Sequence, residues 1–183
     1  IRPVVFYDAR KTKPFGRLPQ FLELHPCKTP GFSCHHSKAY CIVTRKAIRL
    51  VVGSFNLTYT GLFRNREVLQ EWTWQSAKSA DTHILVEWMT FLREHYMTEA
   101  QASSQSALAA ALATLDARTS SWRLPPPVPE KPGHLLTSGY GERSGLDALV
   151  DQWNAWFPGQ VPSSLFAVSP FFDENPDPHC LAD

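Results

Sequence analysis

The sequence predicts an α/β fold in which a mixed β-sheet is flanked by helices. Short segments enriched in β-branched and aromatic residues have the pattern of strands, and they comprise 3–7, 20–25, 38–44, 48–53, 67–74 and 164–172. Other segments repeat apolar residues at helical spacing, and they comprise 81–97, 99–116 and 143–157. Strands joined both by hairpins and by helices are typical of a mixed sheet with helices packed on it.

Each strand is predicted from its own local pattern. Residues 3–7 are almost entirely apolar or aromatic, as in a buried strand. Residues 20–25 alternate apolar and polar side chains before Pro26, which we expect to end the strand. The strands 38–44 and 48–53 are separated only by a three-residue connection, so we expect them to form a hairpin.

The helices are supported by capping and by composition. Asp81 is suited to the N-cap of the first helix, because a short carboxylate can accept hydrogen bonds from exposed backbone N–H groups. The second helix, 99–116, is rich in alanine and leucine, which favour helices most strongly. The third helix, 143–157, carries several leucine and tryptophan residues on one face.

Composition divides the chain into three parts. Residues 1–118 contain the first five strands and two helices. Residues 119–142 contain five prolines and several glycines, which predict an extended linker. Residues 143–183 begin a new packed segment. Because Ile1 opens directly into a strand without an initiator methionine, we expect the chain to be a fragment of a longer protein.

The overall charge argues against a polybasic nucleic-acid-binding segment. The formal net charge is +1, so any phosphate must be bound by a few local donors.

The cysteine pattern argues against a zinc finger. The cysteines lack zinc-finger spacing, and free thiols are favoured over a metal site at Cys27, Cys34 and His35. We expect no cofactor. Without a long apolar run or a signal-peptide pattern, we expect no membrane span and an intracellular location, nuclear or cytoplasmic.

Three short motifs carry the candidate chemistry: His36-Ser37-Lys38, Gly53-Ser54-Phe55-Asn56 and Asn65-Arg66-Glu67. Side chains two residues apart in a strand point to the same face, so His36 and Lys38 would lie side by side. If the end of the second hairpin strand returns beside the start of the first, Ser54 and Asn56 converge on the same place.

Such a cluster would suit a phosphodiester. Lys38 supplies a compact positive charge for the non-bridging oxygens, and Ser54 and Asn56 supply neutral hydrogen-bond donors. Gly53 leaves room for the substrate to approach closely. These four residues are therefore the candidate phosphate-binding groups.

Two further residues would carry out or support the reaction. His36 is placed to attack phosphorus and form a phosphohistidine intermediate. Glu67 could accept a hydrogen bond from the other ring nitrogen of His36, which fixes the tautomer and stabilises the cation that forms. No metal is required, because Lys38 and the amide donors neutralise the developing charge.

Taken together, the motifs resemble those of the phospholipase D superfamily, in which H-x-K is followed by G-S-x-N and then by N-x-E. Most members also carry an aspartate five residues after the lysine, and this sequence has Val43 there. The tyrosyl-DNA phosphodiesterases similarly lack that aspartate and have paired histidines, here His35 and His36. Asn56 follows His36 by 20 residues, as in that branch.

The resemblance implies a phospholipase D-like catalytic lobe at 1–118 and the truncated start of a second, similar lobe at 143–183. His36 is then the nucleophile, Lys38 and Asn56 bind phosphate, and Glu67 lies where a polar partner of the histidine is expected. Members need two facing H-x-K motifs, since a second histidine protonates the leaving oxygen. This sequence has one, so we expect the other from a missing C-terminal part or from a second chain.

The implied function is metal-independent hydrolysis of phosphodiester bonds in DNA, with a 3′-phosphotyrosyl or other 3′ adduct as the candidate substrate in DNA repair. The alternatives are a nuclease or phospholipase of the same superfamily, or a non-catalytic phosphate-binding module. Near the motifs, Tyr59 and Phe63 would either stack on a base or pack in the core. Arg64 and Arg66 would either be solvated, which is favoured, or contact a nucleic-acid backbone.

Overall fold

The structure is a computed structural model that describes residues 4–8, 23–27, 38–54, 59, 63–65, 67–96, 102–124 and 145–164. The strands are β1 (Val4–Asp8), β2 (Glu23–Cys27), β3 (Ala39–Val43), β4 (Ile48–Gly53) and β5 (Leu69–Trp74). The helices are α1 (Thr82–Phe91), which continues into a π-helical turn (Leu92–Tyr96), α2 (Ala102–Thr119) and α3 (Gly145–Trp156). The chain divides into two compact units, Ile1–Leu135 and Leu136–Asp183.

The described strands form two small sheets. β1 and β2 pair in parallel, whereas β3, β4 and β5 form an antiparallel meander in that order. The α/β class predicted from the sequence is therefore confirmed, and so is the hairpin of β3 and β4. Within the described residues the parallel and antiparallel pairs lie in separate sheets, whereas the sequence predicted one mixed sheet.

The predicted end of the second strand is wrong. Pro26 was expected to stop the strand, but β2 runs through it to Cys27, with Pro26 opposite Tyr7. Proline lacks an N–H but keeps its carbonyl, so a strand can contain it where the N–H is not needed for pairing. The Pro26 carbonyl accepts a hydrogen bond from the Ser104 hydroxyl at 3.3 Å, which ties β2 to α2.

The core of the first unit lies between the antiparallel sheet and the helices. On β4, Ile48 and Leu50 are fully buried while Arg49 between them is exposed, which is the alternation expected of a strand with one covered face. The buried apolar side chains contributed by the helices are Ile84, Leu85, Trp88, Met89, Phe91, Leu92, Leu108, Leu112 and Leu115.

Trp74 connects the end of β5 to the start of α1. Its fully buried indole donates through Nε1 to the carbonyl oxygens of Ala80 at 3.0 Å and Asp81 at 3.1 Å. Asp81 occupies the N-cap position, as predicted, but its side chain makes no capping hydrogen bond. Its backbone is left-handed, with φ 56° and ψ 31°, whereas capping side chains ordinarily extend from a β-region backbone.

The packed part of the first unit extends beyond residue 118, the boundary given by the sequence. Helix α2 continues to Thr119, whose hydroxyl donates to the Leu115 carbonyl at 2.9 Å. Trp122 is buried in the core, and the Arg118 guanidinium lies 5.1 Å from the centre of its indole ring. The remainder of the predicted linker, 125–142, lies outside the described residues.

In the second unit, the predicted helix 143–157 corresponds to α3. The Trp153 indole donates from Nε1 to the Gln160 carbonyl at 2.7 Å, which links the last turn of α3 to the residues that follow it. The predicted strand 164–172 lies outside the described residues, apart from Ser164. None of the helices in the described ranges is both long and apolar enough to cross a lipid bilayer.

Candidate functional site

The start of β3 and the end of β4 meet at Lys38 and Gly53. The Gly53 N–H donates to the Lys38 carbonyl at 3.1 Å, one step beyond the pairing of Ala39 with Val52. The predicted return of the second hairpin strand beside the first is therefore confirmed. Ala39 and Val52 pack against the core, so Lys38 and Gly53, the next positions along each strand, fall toward the opposite face of the sheet.

Ser54 extends the pairing of β4 with β5 by one further step. Its N–H donates to the Val68 carbonyl at 3.0 Å, and the Val68 N–H donates in turn to the Ser54 hydroxyl oxygen at 3.1 Å. Both backbone polar groups of Val68 are thus satisfied by one serine. The preceding residue, Glu67, is held beside Ser54 as a result.

The Glu67 carboxylate is fixed through both of its oxygens. The Ser54 hydroxyl donates to Oε2 at 2.5 Å, and the Asn65 amide donates from Nδ2 to Oε1 at 3.1 Å. A carboxylate has about four lone-pair positions, so these two bonds do not exhaust its capacity to accept others. Glu67 can therefore be oriented by its neighbours and still accept a further N–H.

These contacts keep Glu67 ionised. The hydrogen bond from Ser54 lowers the pKa of the Glu67 carboxyl most, followed by the bond from Asn65, and the charge of Lys38 lowers it further. Partial desolvation acts in the opposite direction and is outweighed. Glu67 is therefore negatively charged at neutral pH, and Lys38 is near enough for its charge to lower the pKa of this carboxyl.

Four of the predicted site residues come together at this end of the meander: Lys38, Gly53, Ser54 and Glu67. His36 and Asn56, the other two, lie outside the described residues. Within the described residues, this end of the meander therefore carries a lysine ammonium group and an oriented carboxylate.

The hydrogen bonds of Ser54 differ from its predicted role, in which its hydroxyl donates to a phosphate oxygen. A hydroxyl has one hydrogen, and here Ser54 donates it to Glu67. In this arrangement Ser54 positions the carboxylate rather than offering a hydrogen to a phosphate oxygen.

Asn65 was given no role of its own from the sequence, yet it holds Glu67. The signal was the spacing: in an extended segment, residues two apart project to the same side, so the first and last residues of N-x-E can touch. Its hydrogen bond to Glu67 explains why an amide at this position is useful.

Two aromatic rings next to the motifs lie in solvent. Tyr59 is 66% exposed and Phe63 is 72% exposed, so of the two alternatives given by the sequence, packing in the core is wrong. Arg64 is also exposed, and its guanidinium lies over the Tyr59 ring. Arg66 lies outside the described residues.

The cysteine and metal predictions are tested only in part. Cys41 is a partly buried free thiol, as expected, and burial raises its pKa to about 11. Within the described ranges no three His, Cys, Asp or Glu side chains gather as metal ligands would. Cys34, His35 and the side chain of Cys27, the less favoured metal site, lie outside those ranges.

Comparison of the chain with family models, with curated proteins and with solved structures finds no match. The resemblance to the phospholipase D superfamily therefore rests on the three motifs and on their spacing.

Proposed function

We propose that this chain carries one half of the active site of a metal-independent phosphodiesterase that hydrolyses phosphodiester bonds in DNA. The observation that supports it most is the ionised Glu67 carboxylate, which Ser54 and Asn65 orient at the end of the meander that also carries Lys38 and Gly53. A 3′-phosphotyrosyl or other 3′ adduct is the substrate class implied by the motif resemblance, and repair of DNA ends is the corresponding role.

The electrostatics of Glu67 support a histidine beside it. A carboxylate whose pKa is lowered would repel a phosphodiester if it faced the substrate directly. It stabilises a group that gains positive charge, and an imidazole that attacks phosphorus is such a group. In the proposal Glu67 faces His36, while Lys38 faces the phosphate.

The proposed reaction has two displacements at phosphorus. A ring nitrogen of His36 forms a bond to phosphorus as the bond to the leaving oxygen breaks, and that oxygen takes a proton from the histidine of a second H-x-K motif. The second histidine then removes a proton from water, whose oxygen displaces His36. Lys38 and Asn56 balance the charge on the non-bridging oxygens throughout.

Trapping of the covalent intermediate tests the nucleophile. The protein, incubated with phosphate-labelled oligonucleotide in EDTA and then denatured in alkaline detergent, which preserves the bond between phosphorus and histidine, should retain label, whereas a His36→Ala variant should not. Equal labelling of both proteins would remove His36 as the nucleophile. A complete lack of turnover by a protein that still binds the oligonucleotide would instead favour the non-catalytic module.

A pair of lysine variants separates the role of Lys38 from general charge. Lys38→Met should abolish detectable turnover, whereas Lys46→Met, in the exposed turn between β3 and β4, should leave it intact. A substrate panel of DNA, RNA and phosphatidylcholine distinguishes DNA hydrolysis from the nuclease and phospholipase alternatives. Preferential turnover of phosphatidylcholine would contradict the proposed substrate.

A further inference from the structure

An exposed surface made of two aromatic rings and one cation lies beside the site. The Tyr59 and Phe63 ring centres are 5.3 Å apart, with their planes tilted by 42°. The Arg64 guanidinium carbon lies 5.3 Å from the centre of the Tyr59 ring. We call these three residues the aromatic platform.

The aromatic platform adjoins the group that orients Glu67. Phe63 and Arg64 directly precede Asn65, whose amide donates to the Glu67 carboxylate. Consecutive Cα atoms lie about 3.8 Å apart, so the platform begins within one or two residues of the candidate site. A substrate whose phosphate is held at Lys38 would therefore have its neighbouring groups close to these rings.

The chemistry of the aromatic platform matches an unpaired nucleotide. Aromatic rings stack on the flat faces of bases, and an arginine cation attracts the phosphates that connect them. A purely apolar protein partner would bury the Arg64 guanidinium without a counter-charge, which is unfavourable. Charge complementarity thus favours a single-stranded nucleic acid over an apolar surface.

We propose that Tyr59 and Phe63 stack on an unpaired base of the substrate while Arg64 contacts its backbone. This inference rests on the proposed function and specifies its substrate as single-stranded at the position next to the scissile phosphate. Stacking on a base would also explain why the Tyr59 and Phe63 rings are exposed to solvent while other aromatic rings of the first unit are buried in its core.

Binding and turnover of paired oligonucleotides test the aromatic platform. One single-stranded DNA carries normal bases, and the other has the same length but lacks the bases flanking the scissile phosphate. In Tyr59→Leu and Phe63→Leu variants the preference for the base-containing DNA should fall about fivefold to a hundredfold. Tyr59→Phe, which keeps the ring, should retain the preference.

A matched control is Trp156→Leu, which removes a partly exposed aromatic ring from the second unit and should leave the preference unchanged. If the parent protein binds both oligonucleotides equally, or if the leucine variants keep its preference, the aromatic platform is not a stacking surface. If the parent protein shows the preference but cleaves neither DNA, the stacking surface stands and the proposed function fails. Capture of an apolar protein partner that competes with DNA, with no base preference, would also overturn the inference.

Discussion

The Ser54 hydroxyl donates a 2.5 Å hydrogen bond to Oε2 of Glu67, 13 residues further along the chain. The hydroxyl oxygen of Ser54 also accepts a hydrogen bond from the Val68 N–H, so the Ser54 side chain both extends the β4–β5 pairing and orients the Glu67 carboxylate. Glu67 is consequently positioned both by Ser54, at the end of the β4–β5 pairing, and by Asn65 in the segment that connects these strands. The pKa of Glu67 and the turnover proposed for the site depend on this arrangement.

Replacing Ser54 by alanine should raise the pKa of Glu67 and reduce turnover. The variant loses the largest contribution that lowers this pKa, and the carboxylate loses one of its two orienting bonds. We expect kcat/KM to fall by about tenfold to a hundredfold, as when outer groups that orient metal ligands are removed. Nuclear magnetic resonance titration of the Glu67 carboxyl would report the pKa directly.

The control for this variant is Ser54→Thr, which keeps the hydroxyl. It should retain both the low pKa of Glu67 and most of the activity. Were the alanine variant to titrate like the parent protein, Ser54 would not be the group that stabilises the ionised carboxylate.

The stability contributed by Glu67 should disappear in acid. Because its pKa in the folded protein lies below the ordinary value of 4.5, the contribution is fully present above that value. It is lost as the pH falls through the lower pKa of the folded state. Urea unfolding of the parent protein and of Glu67→Gln, measured from pH 7 to pH 3, should show a difference that narrows toward pH 3. A difference that stays constant over this range would contradict the assignment.

The Cys41 thiol should react slowly in the folded protein. Its burial raises the pKa from 9.0 to about 11, which lowers the thiolate fraction near pH 8 about a hundredfold. Alkylation by iodoacetamide, followed by mass spectrometry of the peptide that contains Cys41, should therefore be at least about a hundredfold slower than in denaturant. Equal rates in both conditions would show that the thiol is accessible and ionises normally.

Removal of the Trp74 side chain should destabilise the first unit strongly. Trp74→Ala leaves a large cavity beside Ile48 and removes both indole hydrogen bonds, and we expect a loss of about 3–5 kcal/mol. Trp74→Phe keeps most of the volume and should lose about 1–3 kcal/mol. Leu69→Ala, at an exposed position of the same strand, should change the free energy of unfolding by less than about 0.5 kcal/mol. Urea denaturation followed by circular dichroism measures all three.

Elements with a strong local pattern were predictable from the sequence. Two strand patterns separated by a short connection predicted the hairpin of β3 and β4, and the hairpin in turn brings Lys38 opposite Gly53. Helix α1 was visible from its apolar spacing.

Features that depend on distant partners were not predictable. The strand β2 continues through Pro26, which is opposite Tyr7 and whose carbonyl is also satisfied by Ser104 of a later helix. The residues after helix α2 pack against the first unit because the Trp122 side chain is buried in its core.

At the candidate site the residue types were predictable and their pairing was not. The motif spacing identified Ser54 and Glu67, but a hydroxyl can donate to any acceptor within reach. Its choice of Glu67 depends on the alignment of β5 with β4, which no pattern within either strand specifies.

The indole of Trp74 lies at the opposite end of β5 from the carboxylate of Glu67. A strand displaced by one residue would turn all its side chains over, which would expel this ring from the interior and pull Glu67 away from Ser54. The burial of Trp74 thus fixes the register of β5, and this register determines where the Glu67 carboxylate lies. An insertion or deletion within β5 would therefore separate Glu67 from Ser54 or remove the Trp74 ring from the core.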